Sequence, residues 1–384
     1  NYQDNQTNFL KKIIYLRWDL VLLITLLSMV GFFLMYSAAA GDINKWAMPQ
    51  MKRFAFFAAV MLIIPLISLR LMMSYAYLIY FGTLALLLSV EFFGDVNMGA
   101  KRWINIAGFN LQPSELMKIA LCFALAKYFH NLHSKDVKSI IPYIFPLLFI
   151  ILPFTLVARQ PDLGTAIVLL LVGGSVFFVA GLSMIVLITV IISGCASIPV
   201  IWHFLHDYQK RRILTFLNPE NDPLGDGYNI IQSQIAIGSG GFHGKGFMSG
   251  SQNQLSFLPE KHTDFIFTML SEEFGFVGSI TVIMIYLIIV LQCFSIAKNC
   301  NNAFGKFLVI GITSIFSMHV FINIAMVMGL IPVVGAPLPL LSYGGTMMMT
   351  MLIGFGIILN VHVNRDRQLH YTINQFVGRT QSEK

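Results

Sequence analysis

Charged side chains are scarce in this sequence. Asp, Glu, Lys and Arg make up 11% of its 384 residues, where a soluble domain carries about 25%. That scarcity excludes an ordinary soluble enzyme, and nucleic acid is not an expected partner. Cysteine is scarce too. Cys122, Cys195, Cys293 and Cys300 fall in apolar runs or a short connection, so neither a disulfide framework nor a metal-type spacing is present. The period-two alternation that marks outer-membrane strands is missing. The glycines at 238, 240, 241, 244 and 246 match neither GxGxxG nor the P-loop pattern, which removes the usual nucleotide-binding motifs. No organic cofactor is expected.

What remains is apolar. Hydrophobic residues make up 56% of the chain and mean hydropathy is +0.73. A helix needs roughly 20 apolar residues to cross a bilayer, and ten runs qualify, near 19–40, 53–70, 74–93, 113–131, 139–158, 163–181, 183–203, 274–297, 306–330 and 340–362. The expected fold is an all-α polytopic membrane protein, one domain over 1–384 with ten transmembrane helices. Its tails are 1–18 and 363–384, and a long loop, 204–263, joins spans seven and eight. An even number of spans puts both tails on one side. That side holds 13 of the 25 Lys and Arg, against 7 opposite once the five in the long loop are left out, because long loops translocate largely regardless of charge. The expectation is therefore cytoplasmic termini, with the long loop outside. Ser37–Ala40 resembles a signal-peptidase site, yet nine further spans favour a retained anchor. A start at Asn1 leaves room for residues before it.

Four segments depart from plain apolar helix, and all lie outside on this topology. Gly94 to Lys118 (GDVNMGAKRWINIAGFNLQPSELMK) predicts a hairpin or re-entrant loop, then a helix from Pro113. Ser114, Glu115 and Lys118 share one face of that helix. The pair Glu115–Lys118 is either self-neutralising or functional, and ionisable groups inside a span are functional candidates by default. Ala158 to Ala166 (ARQPDLGTA) is a tight connection in which Asp162 either favours a helix N-terminus or joins Arg159 in a polar cluster. In the long loop, IIQSQIAIGSGG predicts a short amphipathic helix lying along the interface, and the following glycines read as a flexible lid. Leu330 to Gly345 (LIPVVGAPLPLLSYGG) holds Pro332, Pro337 and Pro339, which break a helix. Non-helical backbone at membrane depth needs protein or a water-filled cavity around it, so this stretch reads as a re-entrant wall.

Asp264 is the residue packing explains least. It sits in LPEKHTDFIF beside His262 and Lys261, where the long loop meets an apolar run. If helix continued upstream of Glu273, Asp264 would project about 15 Å above the hydrocarbon. A helix cap is the bland alternative. An excess of cations on the same side, Lys101, Arg102, Lys118, Arg159 and Lys210 to Arg212, suits either lipid headgroups or an anionic ligand held by converging Arg and Lys.

The motifs GAKRWINI…QPSELMK, QPDLGTA, GYNIIQSQIAIGSGG, LPEKHTDFIF and PLPLLSYGG, in that order over nearly the whole chain, resemble the SEDS family (shape, elongation, division and sporulation), and its elongation branch more than its division branch. The resemblance implies a ten-span peptidoglycan glycosyltransferase that polymerises lipid II, the undecaprenyl-diphosphate-linked disaccharide peptide, with a class B penicillin-binding protein as transpeptidase partner. By position, Asp264 matches the family's catalytic aspartate, and Trp103, Glu115, Lys118 and Asp162 match positions where function is sensitive.

The chemistry agrees with these residues. Transfer from a lipid diphosphate needs one base for the acceptor hydroxyl, and Asp264 is the candidate. It also needs positive charge on the departing diphosphate, for which Arg102, Lys118 and Arg159 are candidates, with His262 close by. Bridging by a divalent cation, Mg2+ or Mn2+, is left open. Two other readings stand beside this one. A lipid II flippase would also use broken helices and a polar cavity, and a non-catalytic scaffold would only position the penicillin-binding protein.

Overall fold

The computed structural model describes residues 9–366 except 98–99, 107–108, 133–140, 198, 200–201, 204–206, 223–224 and 251–259. A short helix α1 (Phe9–Ile14) precedes α2 (Trp18–Ala38), α3 (Ala47–Ile63, prolonged by a 3-10 turn over Ile64–Leu66) and α4 (Leu69–Phe93). Three strands follow, β1 (Asp95–Asn97), β2 (Ala100–Ile106) and β3 (Phe109–Leu111), and then α5 (Pro113–Asn131), α6 (Ile141–Arg159), α7 (Leu163–Val179) and α8 (Met184–Ala196). Two helices of the long loop come next, α9 (Asp207–Leu217) and α10 (Asp226–Ser239), and the chain closes with α11 (Ile266–Lys298), α12 (Ala303–Val327) and α13 (Gly345–Val363).

Each of the ten apolar runs falls on a helix, but they do not all look like spans. Among the described residues, seven helices are long and apolar enough to cross a membrane: α2, α3, α4, α6, α11, α12 and α13. The other three runs coincide with α5, which carries Glu115, Lys118 and Lys127, with the 17-residue α7, and with the 13-residue α8. Helices rich in exposed Leu, Ile and Phe, such as α6, form the periphery, whereas α12 and α13 are the most enclosed. One amendment to an all-helical fold is the antiparallel sheet β1-β2-β3, which pairs Asp95 with Trp103 and Ile104 with Leu111. The predicted hairpin is this sheet, and α5 begins at Pro113 as expected. Pro suits the first helical turn, where its missing N–H has no partner to lose.

Where it is described, the long loop packs against the helices. Its amphipathic helix α10 packs on protein, since Ile230 and Ala236 are buried. Ser233 bonds Thr268 of α11 at 2.7 Å and donates to the Val327 carbonyl of α12 at 2.8 Å. Helix α11 is broken at Gly275 (φ 63°, ψ −157°), and the glycine stretch is stitched into the break. Lys245 N and Gly246 N donate to the Glu272 and Glu273 carbonyls, while Phe276 N and Val277 N donate to the Gly241 and Phe242 carbonyls, all within 2.9–3.2 Å. A helix broken inside a bundle must find partners for the backbone groups it frees, and residues 241–246 supply them. Lys245 adds a 2.8 Å ion pair to Glu272, and Ser37 of α2 donates to Glu273. Because of this break, Ile266 to Glu273 are all buried in protein, and no straight helix carries Asp264 outward as the sequence suggested.

Side chains do not fit in the stitch. A Cβ on Gly244 (φ +80°) would sit 2.2 Å from the Glu273 carbonyl oxygen, and one on Gly275 (φ +63°) would sit 2.3 Å from Gly244 N. Gly244→Ala and Gly275→Ala are each expected to cost about 1–3 kcal/mol or more from the strained backbone and the clash. Gly82 of α4, with open space around it, is the control: Gly82→Ala should leave the melting temperature in detergent equal or higher. Equal melting of all three variants would show that the break tolerates a looser fit.

Candidate active site

Asp264 lies one residue short of the N-cap of α11, in a turn held on several sides. Thr263 donates to the Glu260 carboxylate at 2.9 Å. The chain reversal at 331–344, which is non-helical throughout, grips this turn through its backbone. Ser342 Oγ donates to the Thr263 carbonyl at 2.6 Å and Tyr343 N to the His262 carbonyl at 2.9 Å. Asn323 of α12, fully buried, uses both amide hydrogens, one on the Asp264 carbonyl at 2.8 Å and one on the Ala336 carbonyl at 2.6 Å. Gln50 of α3 reaches the Ser342 carbonyl at 3.2 Å and Tyr286 of α11 the Pro339 carbonyl at 2.6 Å. The proline-rich segment is thus a wall many of whose polar groups are satisfied by protein.

The Asp264 carboxyl points along this wall, close to Gly335, whose missing side chain leaves room for Oδ2. Burial pushes its pKa up to about 7, the nearby Glu260 carboxylate adds to the rise, and Arg212 of α9 opposes it. Arg212 also lines an apolar groove of about 340 Å³ between α7, α9 and residues 331–334. Arg212 thus belongs both to that groove and to the electrostatic surroundings of Asp264.

A layered stack borders the other side. His262 lies flat on Trp46, with ring centroids 4.2 Å apart and planes 9° from parallel. Lys45 caps the Trp46 ring at 4.5 Å. Tyr343 follows His262 at 5.8 Å, and Arg53 covers Tyr343 at 5.0 Å. Burial holds His262 below the ordinary imidazole range, and Lys45 and Lys261 lower it further against the pull of Glu260. Burial first, then Lys45, also lowers Lys261. Cations thus outnumber the local carboxylates around Asp264, which suits an anionic ligand.

The other sequence candidates fall into two further groups. Arg102 of β2 directs Nε at the Gln160 carbonyl, 3.2 Å away, and Nη2 at the Pro161 carbonyl. Asp162 caps α7 by accepting from Thr165 N at 3.3 Å and accepts from Gln112 at 3.1 Å. These two residues fasten the sheet to the α6–α7 turn, the structural alternative for Asp162. Trp103 is half-buried on β2 opposite Asp95, and Arg159 is exposed in the last turn of α6, where positive charge complements the helix dipole. Deeper in the bundle, Lys118 is fully buried and donates to Glu115 at 2.7 Å. Its ammonium also meets His319 Nε2 of α12 at 2.6 Å. The sequence reading missed His319, Asn323, Trp46 and Arg53. The first two are polar residues inside an apolar run, the signal that should have raised them. Among the described residues, no group of three or more His, Cys, Asp or Glu could hold a metal ion.

Comparison with known proteins adds lineage to this geometry. A sequence model of the FtsW/RodA/SpoVE family, described as cell cycle protein, matches residues 16–367. The chain is 39% identical over 364 residues to the peptidoglycan glycosyltransferase MrdB of Escherichia coli, covering 94% of this chain and 97% of that one. It is 37% identical to MrdB of Helicobacter pylori, with 92% of each covered. Among solved structures, a chain of a peptidoglycan synthase complex that coordinates polymerization and crosslinking superposes with a TM-score of 0.80 at 29% identity, covering 92% of this chain and 99% of that one. The rod shape determining protein RodA of Thermus thermophilus superposes with a TM-score of 0.69 at 26% identity, covering 92% and 98%.

A carboxyl raised by burial favours its neutral form in the fold. Its contribution to stability is full below its unfolded value and is lost as pH rises through about 7. Asp264→Asn, which never ionises, is therefore expected to gain melting temperature relative to wild type between pH 6 and pH 8. A difference that does not change with pH would place the carboxyl in water.

Proposed function

The chain belongs to the FtsW/RodA/SpoVE family and is a peptidoglycan glycosyltransferase of cell elongation; from that premise we propose that Asp264 is its general base and lipid II its substrate. The observation that carries this reading is the placement of the Asp264 carboxyl where an apolar groove lined by Arg212 meets a cation-rich rim. The apolar lining of the groove suits a segment of an isoprenoid chain, and the cations suit its diphosphate.

In this mechanism Asp264 accepts the proton of an acceptor hydroxyl as the oxygen attacks the anomeric carbon of the donor. The bond from that carbon to the diphosphate breaks, and the diphosphate leaves with the electron pair. One carboxylate suffices when an α-linked donor gives a β-linked product, whereas a retaining enzyme needs a second as nucleophile. A pKa of about 7 suits a base at neutral pH. Arg212, Lys45, Arg53 and Lys261 are the cations nearest this chemistry. Arg159 remains a candidate, whereas Arg102 is engaged by backbone carbonyls and Lys118 is closed off from solvent. Asp264 and Glu260 alone are too few ligands for Mg2+ or Mn2+, so a divalent ion would complete its shell from substrate phosphate and water.

We also propose the ten-span topology with cytoplasmic termini, with α5, α7 and α8 completing the spans and the active site facing outward in the inner membrane. A class B penicillin-binding protein is the proposed partner, in line with the relative solved as part of a peptidoglycan synthase complex.

Purified lipid II and the partner transpeptidase test the assignment. Asp264→Asn should lower the polymerisation rate by about 10²–10⁴-fold. The wild-type rate should climb about tenfold from pH 6 to pH 8, following ionisation of a base near 7. A near-normal rate in the Asn variant, with the protein folded, would remove Asp264 from the mechanism. Omitting the partner should slow the wild type, because a base misplaced by an ångström loses much of its effect; an unchanged rate would refute the partnership.

A further inference from the structure

Lys118 lies on α5 and has no exposed surface. An ammonium there needs its donors satisfied. Glu115 Oε1 takes one at 2.7 Å and His319 Nε2 takes another at 2.6 Å. The second contact fixes the chemistry of the imidazole. Lysine has no acceptor, so Nε2 must offer its lone pair and the ring proton must sit on Nδ1. His319 is 2% exposed, and a histidine packed for shape alone would not set its lone pair against a buried ammonium.

His319 also has an informative place on its helix. Asn323, whose amide holds the Asp264 and Ala336 carbonyls, lies four residues further along α12. Residues four apart share a helix face, about 6 Å apart along the axis. One face of α12 thus grips Lys118 with one residue and the turn carrying Asp264 with the next.

We propose that His319 is a positioning residue for glycosyl transfer: its unprotonated Nε2 aims the Lys118 ammonium, and α12 keeps that charge in register with Asp264. The inference rests on the proposed role of Asp264 and adds a residue to it. The Lys118 ammonium, paired with Glu115 as a buried dipole, lies in a medium where fields are weakly screened, so its placement bears on the diphosphate charge that grows as the donor bond breaks. Loss of the aim should lower kcat while leaving KM for lipid II nearly unchanged, because Lys118 is closed off from bound substrate.

Four variants test this: His319→Leu, His319→Gln, Lys118→Met and the double variant His319→Leu with Lys118→Met, each assayed with lipid II and the partner transpeptidase. His319→Leu should reduce kcat about 10- to 100-fold, the scale of one charge-assisted hydrogen bond. His319→Gln, whose amide oxygen can reach the position of Nε2, should recover most of the rate. The double variant should be no slower than Lys118→Met within about threefold, because His319 acts only through Lys118. Multiplying losses, a normal kcat in His319→Leu, or a His319→Gln variant as slow as His319→Leu would each overturn the proposal. If His319→Leu does not fold, His319→Asn replaces it, its shorter amide leaving the acceptor out of reach, and its rate relative to His319→Gln decides. The wild type and Asp264→Asn run alongside. Loss of polymerisation in Asp264→Asn with normal kcat in His319→Leu would sink this inference and leave the base assignment standing.

Discussion

Two hydrogens on one amide nitrogen organise this protein. Asn323 holds the carbonyl of Asp264 and the carbonyl of Ala336 at the same time. It thereby joins two stretches of backbone that are not helical and would otherwise carry unmet polar groups inside an apolar bundle. A lipid-facing helix satisfies itself; an irregular segment among helices has to be satisfied by its neighbours. The wall at 331–344 and the turn at 260–265 can exist at this depth because Asn323, Ser342, Gln50 and Tyr286 supply those bonds. The carboxyl of Asp264 keeps its place beside Gly335 because its own backbone is held.

The same constraint explains what could be read from the sequence and what could not. Apolar runs announce helices by length alone, and the prolines at 332, 337 and 339 announce a break because proline has no N–H to give. The alternating stretch before Pro113 announced the hairpin. Partners of those breaks are a different matter, since they come from far along the chain. Nothing near Gly244 in sequence shows that it fits against Gly275, and the glycines accordingly read as slack where they are in fact tight. Arg102 was legible as a cation but not as one directed at the carbonyls of Gln160 and Pro161. Asp264, at the edge of a span beside His262, stood out because a carboxylate there lacks a packing role. His319 and Asn323 were overlooked because each is a single polar residue in a long apolar run, even though such residues are costly enough to demand a reason.

Charge is distributed with similar economy. Lys118 and Glu115 neutralise each other within one turn of α5, and a buried pair of this kind tolerates the loss of both partners better than the loss of one. Around Asp264 the balance tips the other way, with Lys45, Arg53, Lys261 and Arg212 gathered from three separate parts of the chain. The aromatic stack of Trp46, His262 and Tyr343 carries two of these cations on its ends, holding them by ring faces and leaving the carboxylate uncommitted.

The stitched break in α11 also has a consequence for synthesis. Residues 241–246 leave the ribosome before Ile266–Lys298, so the loop strand is complete while the helix it must mend does not yet exist. Its donors and acceptors wait in water until both halves of α11 are in place, and only then can the helix bend and be sealed. The bend is a late step in assembly, and the turn bearing Asp264, directly upstream of it, takes its final shape only once translation has passed Tyr343.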